Sequence, residues 1–350
     1  MSKGSTELPS RTAARQQASK TKKPKPRKKR SILKTFFILL FAVLLIIAAG
    51  LAYLVFKADE AIKDISTVPA DTEVAVPAAE SVKKKAVGML LMGIDSRSHG
   101  GGLNTDVMMV AVFNPNKSAT IVTIPRDTIV DVDGYRARKA NAFYADFYMN
   151  ALNSKKLSKE LAYADAKQEV RNVMSKLFDI DLKYTAVINF QGFADVVDEF
   201  GGVEVDVDMR MKYTDSADGT NIDLEKGFQL LSGEKALDFV RYRKSNNGKN
   251  MSSDFDRNKR QSQVIGALTD KLKSLNGVTK LSSVIDAVGN NLTMDMPSKE
   301  IVNMMTTYVG MGRDEVAFIP LEGTWKSPYV YLSDSALAEA KAALQAKMAE

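Results

Sequence analysis

The sequence predicts a mixed α/β domain, of the α+β kind, preceded by one transmembrane helix. Three observations lead there. Short β-rich runs alternate with helical periods from about residue 86 onward. An uncharged stretch of 22 residues, TFFILLFAVLLIIAAGLAYLVF, fills positions 35–56. A Val/Pro/Ala-rich segment separates the two.

Residues 1–34 carry 12 basic side chains against one acid, Glu7, so this tail holds +11 in a chain of net +7 and leaves −4 for the remainder. The alkaline balance belongs to the tail, and a chain-wide nucleic-acid footprint is excluded. At about 1.5 Å per residue, positions 35–56 reach roughly 33 Å, close to the thickness of a bilayer core. A cleavable leader has only about 7–15 apolar residues, although AAG at 48–50 imitates its cleavage site. The basic block before the span predicts a cytoplasmic N terminus and an extracellular remainder. That block reads as a topology signal rather than a DNA or lipid ligand. Residues 57–85 read as stem and linker, and Pro69 and Pro77 predict low order there. The chain has no cysteine, which excludes disulfides and thiolate chemistry and suits an envelope protein of a Gram-positive bacterium.

The domain is expected over 86–332, with a charged helix over 333–350. VGMLLMGI (87–94) reads as a buried strand ending at Asp95. DVMMVAVFNP (106–115) and SATIVTIP (118–125) form a hairpin turning at 114–117, and residues 127–132 extend the sheet. Met89, Met92, Met108 and Met109 read as core, with an adaptable lipid groove as the lesser reading. Residues 139–178 carry a helical period broken near 153–158. KYTAVINF (183–190) is a strand, FADVVDEF (193–200) a helix stopped by Gly201 and Gly202, and VEVDV (203–207) a strand. Residues 208–231 look irregular. Ser232 caps the next helix. Residues 254–275 form a helix with Val264, Ile265, Leu268 and Leu272 inward. Arg257 and Gln261, with Asp254 one turn earlier, are expected on the opposite, polar face. Helices over 277–290 and 297–311 and short strands near 314–320 and 327–332 follow.

The chemistry concentrates in few residues. Asp95 stands at a strand end before the flexible HGGG, and Asp106 opens the next strand. Alone they read as solvated loop acids. Facing each other they suit magnesium, which takes one or two protein carboxylates and completes its shell with water and phosphate oxygens. Arg126, in IPRD at the end of an apolar strand, must pair locally, with Asp127 for instance, or meet an anion. Arg241 and Arg243 alternate by two and share a face of an extended segment. Each taken singly reads as solvated surface. Together with Arg257 and Gln261 they match the needs of a diphosphate. His99, the only histidine, reads as a loop spacer. No Gly-x-Ser-x-Gly elbow, Walker loop or HExxH occurs, which removes support for serine hydrolase, P-loop and zincin readings.

The ordered blocks GIDSR, TDVMMVAVFNP, TIVTIPRDT, KANAFYA, YTAVINFQGFADVVDEFGGVEV, LSGEKALDFVRYR and DFDRNKRQSQVI resemble the extracellular domain of the LytR-CpsA-Psr family. The likeness is strong over about 86–275 and fainter to about 320, and the tail, span and linker match that family's layout. The resemblance implies one domain with a central mixed sheet flanked by helices and an apolar groove for a polyprenyl tail. It implies a phosphotransferase that moves a glycopolymer from an undecaprenyl-diphosphate carrier to the C6 hydroxyl of N-acetylmuramic acid in peptidoglycan. The polymer would be wall teichoic acid, capsule or a related polysaccharide, handled at the outer face of the membrane. Carried over by motif, Asp95 and Asp106 would hold Mg2+, with Mn2+ as an alternative. Arg126, Arg241 and Arg243 would act on the diphosphate, helped by Arg257, Gln261 and more weakly Arg97. One departure is Asn104, where the family often has Arg; the expectation is either that Lys139 or Arg138 substitutes or that the headgroup contacts are weaker or different. Rival readings are a membrane-anchored regulator or transcriptional attenuator, a lipid-diphosphate phosphatase, and a binding module without activity.

Overall fold

The structure, a computed structural model, describes residues 62–68, 75–95, 102–217, 219–273 and 278–350. The tail, the 35–56 span, Arg97 and His99 lie outside the described residues. Among the described residues no helix is long and apolar enough to cross a membrane.

The elements run β1 (Val87–Ile94), β2 (Thr105–Asn114), β3 (Ser118–Thr123), β4 (Ile129–Val130), β5 (Arg138–Lys139), α1 (Phe143–Asn153), α2 (Lys159–Phe178), β6 (Leu182–Asn189), α3 (Phe190–Glu199) and β7 (Val203–Val207). Then come β8 (Met211–Asp215), β9 (Thr220–Leu224), β10 (Gly227–Leu231), α4 (Gly233–Arg241), α5 (Asp254–Lys273), α6 (Val278–Val288), β11 (Leu292–Met294) and α7 (Ser298–Tyr308). The chain ends with β12 (Val316–Pro320), β13 (Gly323–Lys326), β14 (Tyr329–Leu332) and α8 (Asp334–Ala349).

Six strands make a mixed sheet in the order β11-β6-β1-β2-β3-β12. β1 pairs antiparallel with β2 and parallel with β6. Strand alternation sends Leu90, Met92, Met108, Val110 and Val112 into one core, where Phe143, Met174, Phe178, Ala340 and Leu344 meet them from α1, α2 and α8. Phe178 is fully enclosed, so truncating it to alanine would cost about 3–5 kcal/mol. The opposite sheet face, with Leu91, Val107, Met109 and Ala111, looks toward α5 and α7.

One irregularity positions the site. Gly93 pairs with Val107 but Ile94 pairs with Thr105, so Asp106 is an extra residue in β2. Regular alternation would turn Asp106 into the α1/α2 core beside Met108. The bulge instead aims it to the same side as Val107, a common use of bulges beside active sites.

Several local expectations change. Residues 127–132 do not extend the main sheet; β4 pairs with β5 in a separate ribbon. The stretch 208–231 holds three strands, with β8 paired to β9 and β10 to β7. The stem is partly docked. Ile62 and Ile65 are buried, the Thr67 amide donates to the Met294 carbonyl at 2.8 Å, and the buried Glu300 carboxylate accepts from the Val82 amide at 2.9 Å and the Ser81 hydroxyl at 2.9 Å. A buried acid held by several donors is satisfied locally and fixes the chain that supplies them.

Candidate active site

A cavity of about 400 Å³ opens between the sheet and helices α3, α4 and α5. Its body is apolar: Leu91, Met109, Ala186, Ile188 and Leu292 come from the sheet, Phe193 from α3, Leu237 and Val240 from α4, and Val264 and Ile265 from α5. Its polar lining is Asp106, Arg126, Asn189, Arg241, Arg243, Arg257 and Gln261. Six residues singled out in the sequence thus converge on one space, although they come from four separate segments. Met92 and Met109 are 2% exposed yet border this cavity, so they serve core and groove together.

Local structure explains each placement. Ser232 caps α4 by accepting from the Lys235 amide. Gly233 lets α4 approach α3 closely, since a Cβ there would stand 2.1 Å from the Ala194 carbonyl oxygen. The Gly233 amide also donates to Asp198 Oδ1 at 2.7 Å. α4 ends at Arg241, and its guanidinium lies over the Phe190 ring, 4.4 Å from the centroid. Tyr242 is extended and fully buried, which carries Arg243 back to the cavity. Arg260, in the same basic cluster of the sequence, has another task. It grips Asp208 through two bonds of 2.8 and 2.7 Å and Ser252 Oγ at 2.8 Å, and so fastens the loop that follows Arg243.

On α5 the polar and apolar faces do not oppose each other. Arg257, Gln261, Val264 and Ile265 all line the cavity, and Arg257 and Gln261 are 5% and 6% exposed. Positions i, i+4, i+7 and i+8 share one side of a helix, so the polar residues continue the apolar stripe instead of facing water. The result is a graded wall, cationic at the start of α5 and hydrocarbon one turn later.

The electrostatics favour an added anion. Arg126 pairs with Asp106 and Arg257 with Asp254. Arg243 has no carboxylate at ion-pair distance among the described residues. Loss of water, followed by repulsion from Arg243 and Arg126, pushes Arg257 down to about 9; Asp106 and Asp127 offset part of this. Arg243 is lowered in the same way, by lost hydration and then by Arg126. Arg126 Nε, Arg257 Nε and Gln261 Oε1 are buried without hydrogen-bond partners. The two orphaned donors, Arg126 Nε and Arg257 Nε, beside mutually repelling guanidiniums are costly unless a ligand satisfies them.

Other expected residues fall differently. Asp95 follows β1, partly buried, with its carbonyl accepting from the Gly102 amide at 2.7 Å, but it is outside the cavity lining. β1–β2 pairing nevertheless sets it at the strand end beside Thr105 and Asp106. Asn104 is exposed. Lys139 is not a cavity residue; it donates to Asp127 Oδ1 at 3.0 Å. Arg138 pairs with Asp146. Among the described residues no group of three or more acid, histidine or cysteine ligands gathers. Asp95 and Asp106 stand at neighbouring strand ends, and these two carboxylates are the donors the site would offer a cation. That donor set fits magnesium bound jointly with phosphate oxygens. The sequence reading missed the apolar contributors Phe193, Leu237 and Leu292, which are half-buried in the structure and whose sequence pattern resembles that of ordinary core.

Comparison with known proteins agrees with this architecture. The chain is 30% identical over 336 residues to the polyisoprenyl-teichoic acid–peptidoglycan teichoic acid transferase TagT of Bacillus subtilis strain 168, covering 91% of this chain and 96% of the relative. It is 28% identical over 287 residues to the transferase of the same name, TagU, of Oceanobacillus iheyensis, covering 80% and 82%. The fold superposes on crystalline TagV of B. subtilis with a TM-score of 0.59 at 25% identity, over 76% of this chain and 98% of that one. It also superposes on TagT bound to LI-WTA, with a TM-score of 0.54 at 26% identity, over 79% and 100%. The sequence model of the LytR_cpsA_psr family matches residues 52–347, and the chain belongs to that family.

Proposed function

We propose that the chain is a phosphotransferase that moves a glycopolymer from a polyprenyl diphosphate carrier onto peptidoglycan. One observation carries the reading: a single cavity joins an apolar body to a mouth of Arg126, Arg241, Arg243 and Arg257. A lipid diphosphate has the matching division, hydrocarbon at one end and two phosphates at the other. The names of the relatives TagT and TagU support teichoic acid as polymer and peptidoglycan as acceptor.

In this reading the guanidiniums hold the diphosphate and offset the charge that grows on the leaving lipid phosphate. The acceptor hydroxyl attacks the polymer-side phosphorus in line. A new P–O bond forms, the bond to the bridging oxygen breaks, and lipid monophosphate departs. The hydroxyl proton passes to a carboxylate, with Asp106 at the cavity and Asp127 beside Arg126 as the candidates. A magnesium ion held by Asp95 and Asp106 would supply further charge neutralisation at the phosphates. The span at 35–56 would tether the domain at the outer face of the membrane. The test is transfer of labelled polymer from a synthetic lipid diphosphate to peptidoglycan by the full chain. A phosphodiester-linked product is expected with the wild type and is lost in Arg243→Ala. Release of free polymer phosphate without that linkage would replace the reading with a lipid-diphosphate phosphatase.

A further inference from the structure

Beyond the cavity, the hairpin β13–β14 carries an exposed aromatic surface that the diphosphate chemistry does not use. It is attached directly to the site. The Val330 amide donates to the Asp127 carbonyl at 2.9 Å, and Thr128 bridges to Val330. Asp127 is the neighbour of Arg126 in sequence and in space, with Oδ1 3.8 Å from Arg126 Nε. The same oxygen accepts from Lys139 Nζ at 3.0 Å. Lys139 Nζ in turn lies 5.9 Å from the centre of the Tyr329 ring. Tyr329 and Tyr331 stand edge to face with centroids 6.4 Å apart, and Lys326 Nζ is 5.6 Å from the Tyr331 ring. Lys326 pairs with Tyr329 and Thr324 with Tyr331, so all four side chains share one face of the hairpin. Tyr331 is 43% exposed.

Resting on the transferase reading above, we infer that this track, Lys139–Tyr329–Tyr331–Lys326, binds the acceptor glycan strand and delivers its hydroxyl to the phosphate site. Two features select that occupant. The track is continuous with Arg126 through Asp127, so a chain lying on it leads toward the guanidinium that lines the cavity. Its chemistry sets two adjoining aromatic rings between two ammonium groups. Amino-sugar rings offer apolar C–H faces for the tyrosines, and the carboxylates of their peptide stems complement Lys139 and Lys326. An oriented hydroxyl is what in-line transfer requires of the acceptor.

The full chain in detergent micelles is titrated by calorimetry with soluble, uncrosslinked peptidoglycan fragments bearing stem peptides. Saturable binding is expected, weakened about tenfold in Tyr331→Ala and in Lys326→Gln and kept within about twofold in Tyr331→Phe, which retains the ring. Arg243→Ala should bind the fragments like the wild type while losing polyprenyl diphosphate. Failure of the cavity reading thus shows in diphosphate binding, and failure of this inference in glycan binding. No measurable glycan binding by the wild type, or equal binding by Tyr331→Ala, overturns the assignment. So does a Tyr331→Ala defect confined to anionic vesicles, which would make the hairpin a membrane contact.

Discussion

Arg257 offers the sharpest energetic test, because the site holds it at a cost. Lost hydration, with repulsion from Arg243 and Arg126, pushes its pKa well below the usual guanidinium range, to about 9. A displacement of that size corresponds to roughly 4–5 kcal/mol against the charged guanidinium in the ligand-free fold. Removing Arg257 alone would strand Asp254, so the informative variant is Arg257→Met with Asp254→Asn. After allowance for the lost ion pair, the ligand-free double variant should be more stable than wild type by about 1–3 kcal/mol in urea unfolding at pH 7. The sign with pH follows from the same values. The folded chain gives up this proton near pH 9 while the unfolded one keeps it to far higher pH, so wild-type stability rises as pH climbs above about 9. The gap between variant and wild type should be full below about pH 9 and narrow above it. A lipid diphosphate at about 100 times its Kd should stabilise the wild type by about 2.7 kcal/mol and the variant far less. A ligand-free variant less stable than wild type, or an undiminished ligand effect, would refute the idea of a cluster assembled for an anion.

Further outcomes are expected elsewhere in the site and core. Arg241→Ala should lose polymer attachment in the transfer assay while its circular dichroism stays native, because the residue ends α4 at the cavity instead of in a core. Complete chelation of divalent metal should abolish transfer, and added Mg2+ should restore it; unchanged turnover would count against a role for Asp95 and Asp106 as ligands. Burial pushes Lys167 down to about 8, with Asp295 resisting and Arg171 assisting. Its positive charge therefore weakens the fold below about pH 8, and this penalty lifts as pH rises toward 10.5. Lys167→Met should raise the melting temperature at pH 7, by about 1–3 kcal/mol of stability after loss of the 2.8 Å bond to Thr67 Oγ1.

Much of the site was legible because its chemistry sits at element ends. Arg126 after β3, Arg241 at the end of α4 and Asp106 at the start of β2 are charges next to strongly apolar runs, and such charges need a reason. Two things were not legible. The bulge at Asp106 depends on how β1 and β2 register, and neither strand alone encodes that. The shared face of Arg257, Gln261 and Val264 was misjudged because guanidinium and amide groups were assigned to water, whereas α5 turns them toward a cavity that only tertiary packing creates. The short strands β8, β9 and β10 are five residues each, carry mostly polar or exposed side chains and are joined by tight turns, so they look like loop, whereas VEVDV of β7 alternates cleanly and reads as a strand. The stem's docking depends on Glu300, more than 200 residues away, and no local pattern reports a partner at that separation.

β11 is three residues long, and its two ends serve different clients. Leu292 forms part of the cavity wall, and Met294 holds the returning stem through Thr67. Two residues along a strand cover about 7 Å. One short strand therefore links the apolar wall of the cavity to the docked stem, so a change that loosens the Thr67–Met294 contact should be felt at the cavity wall.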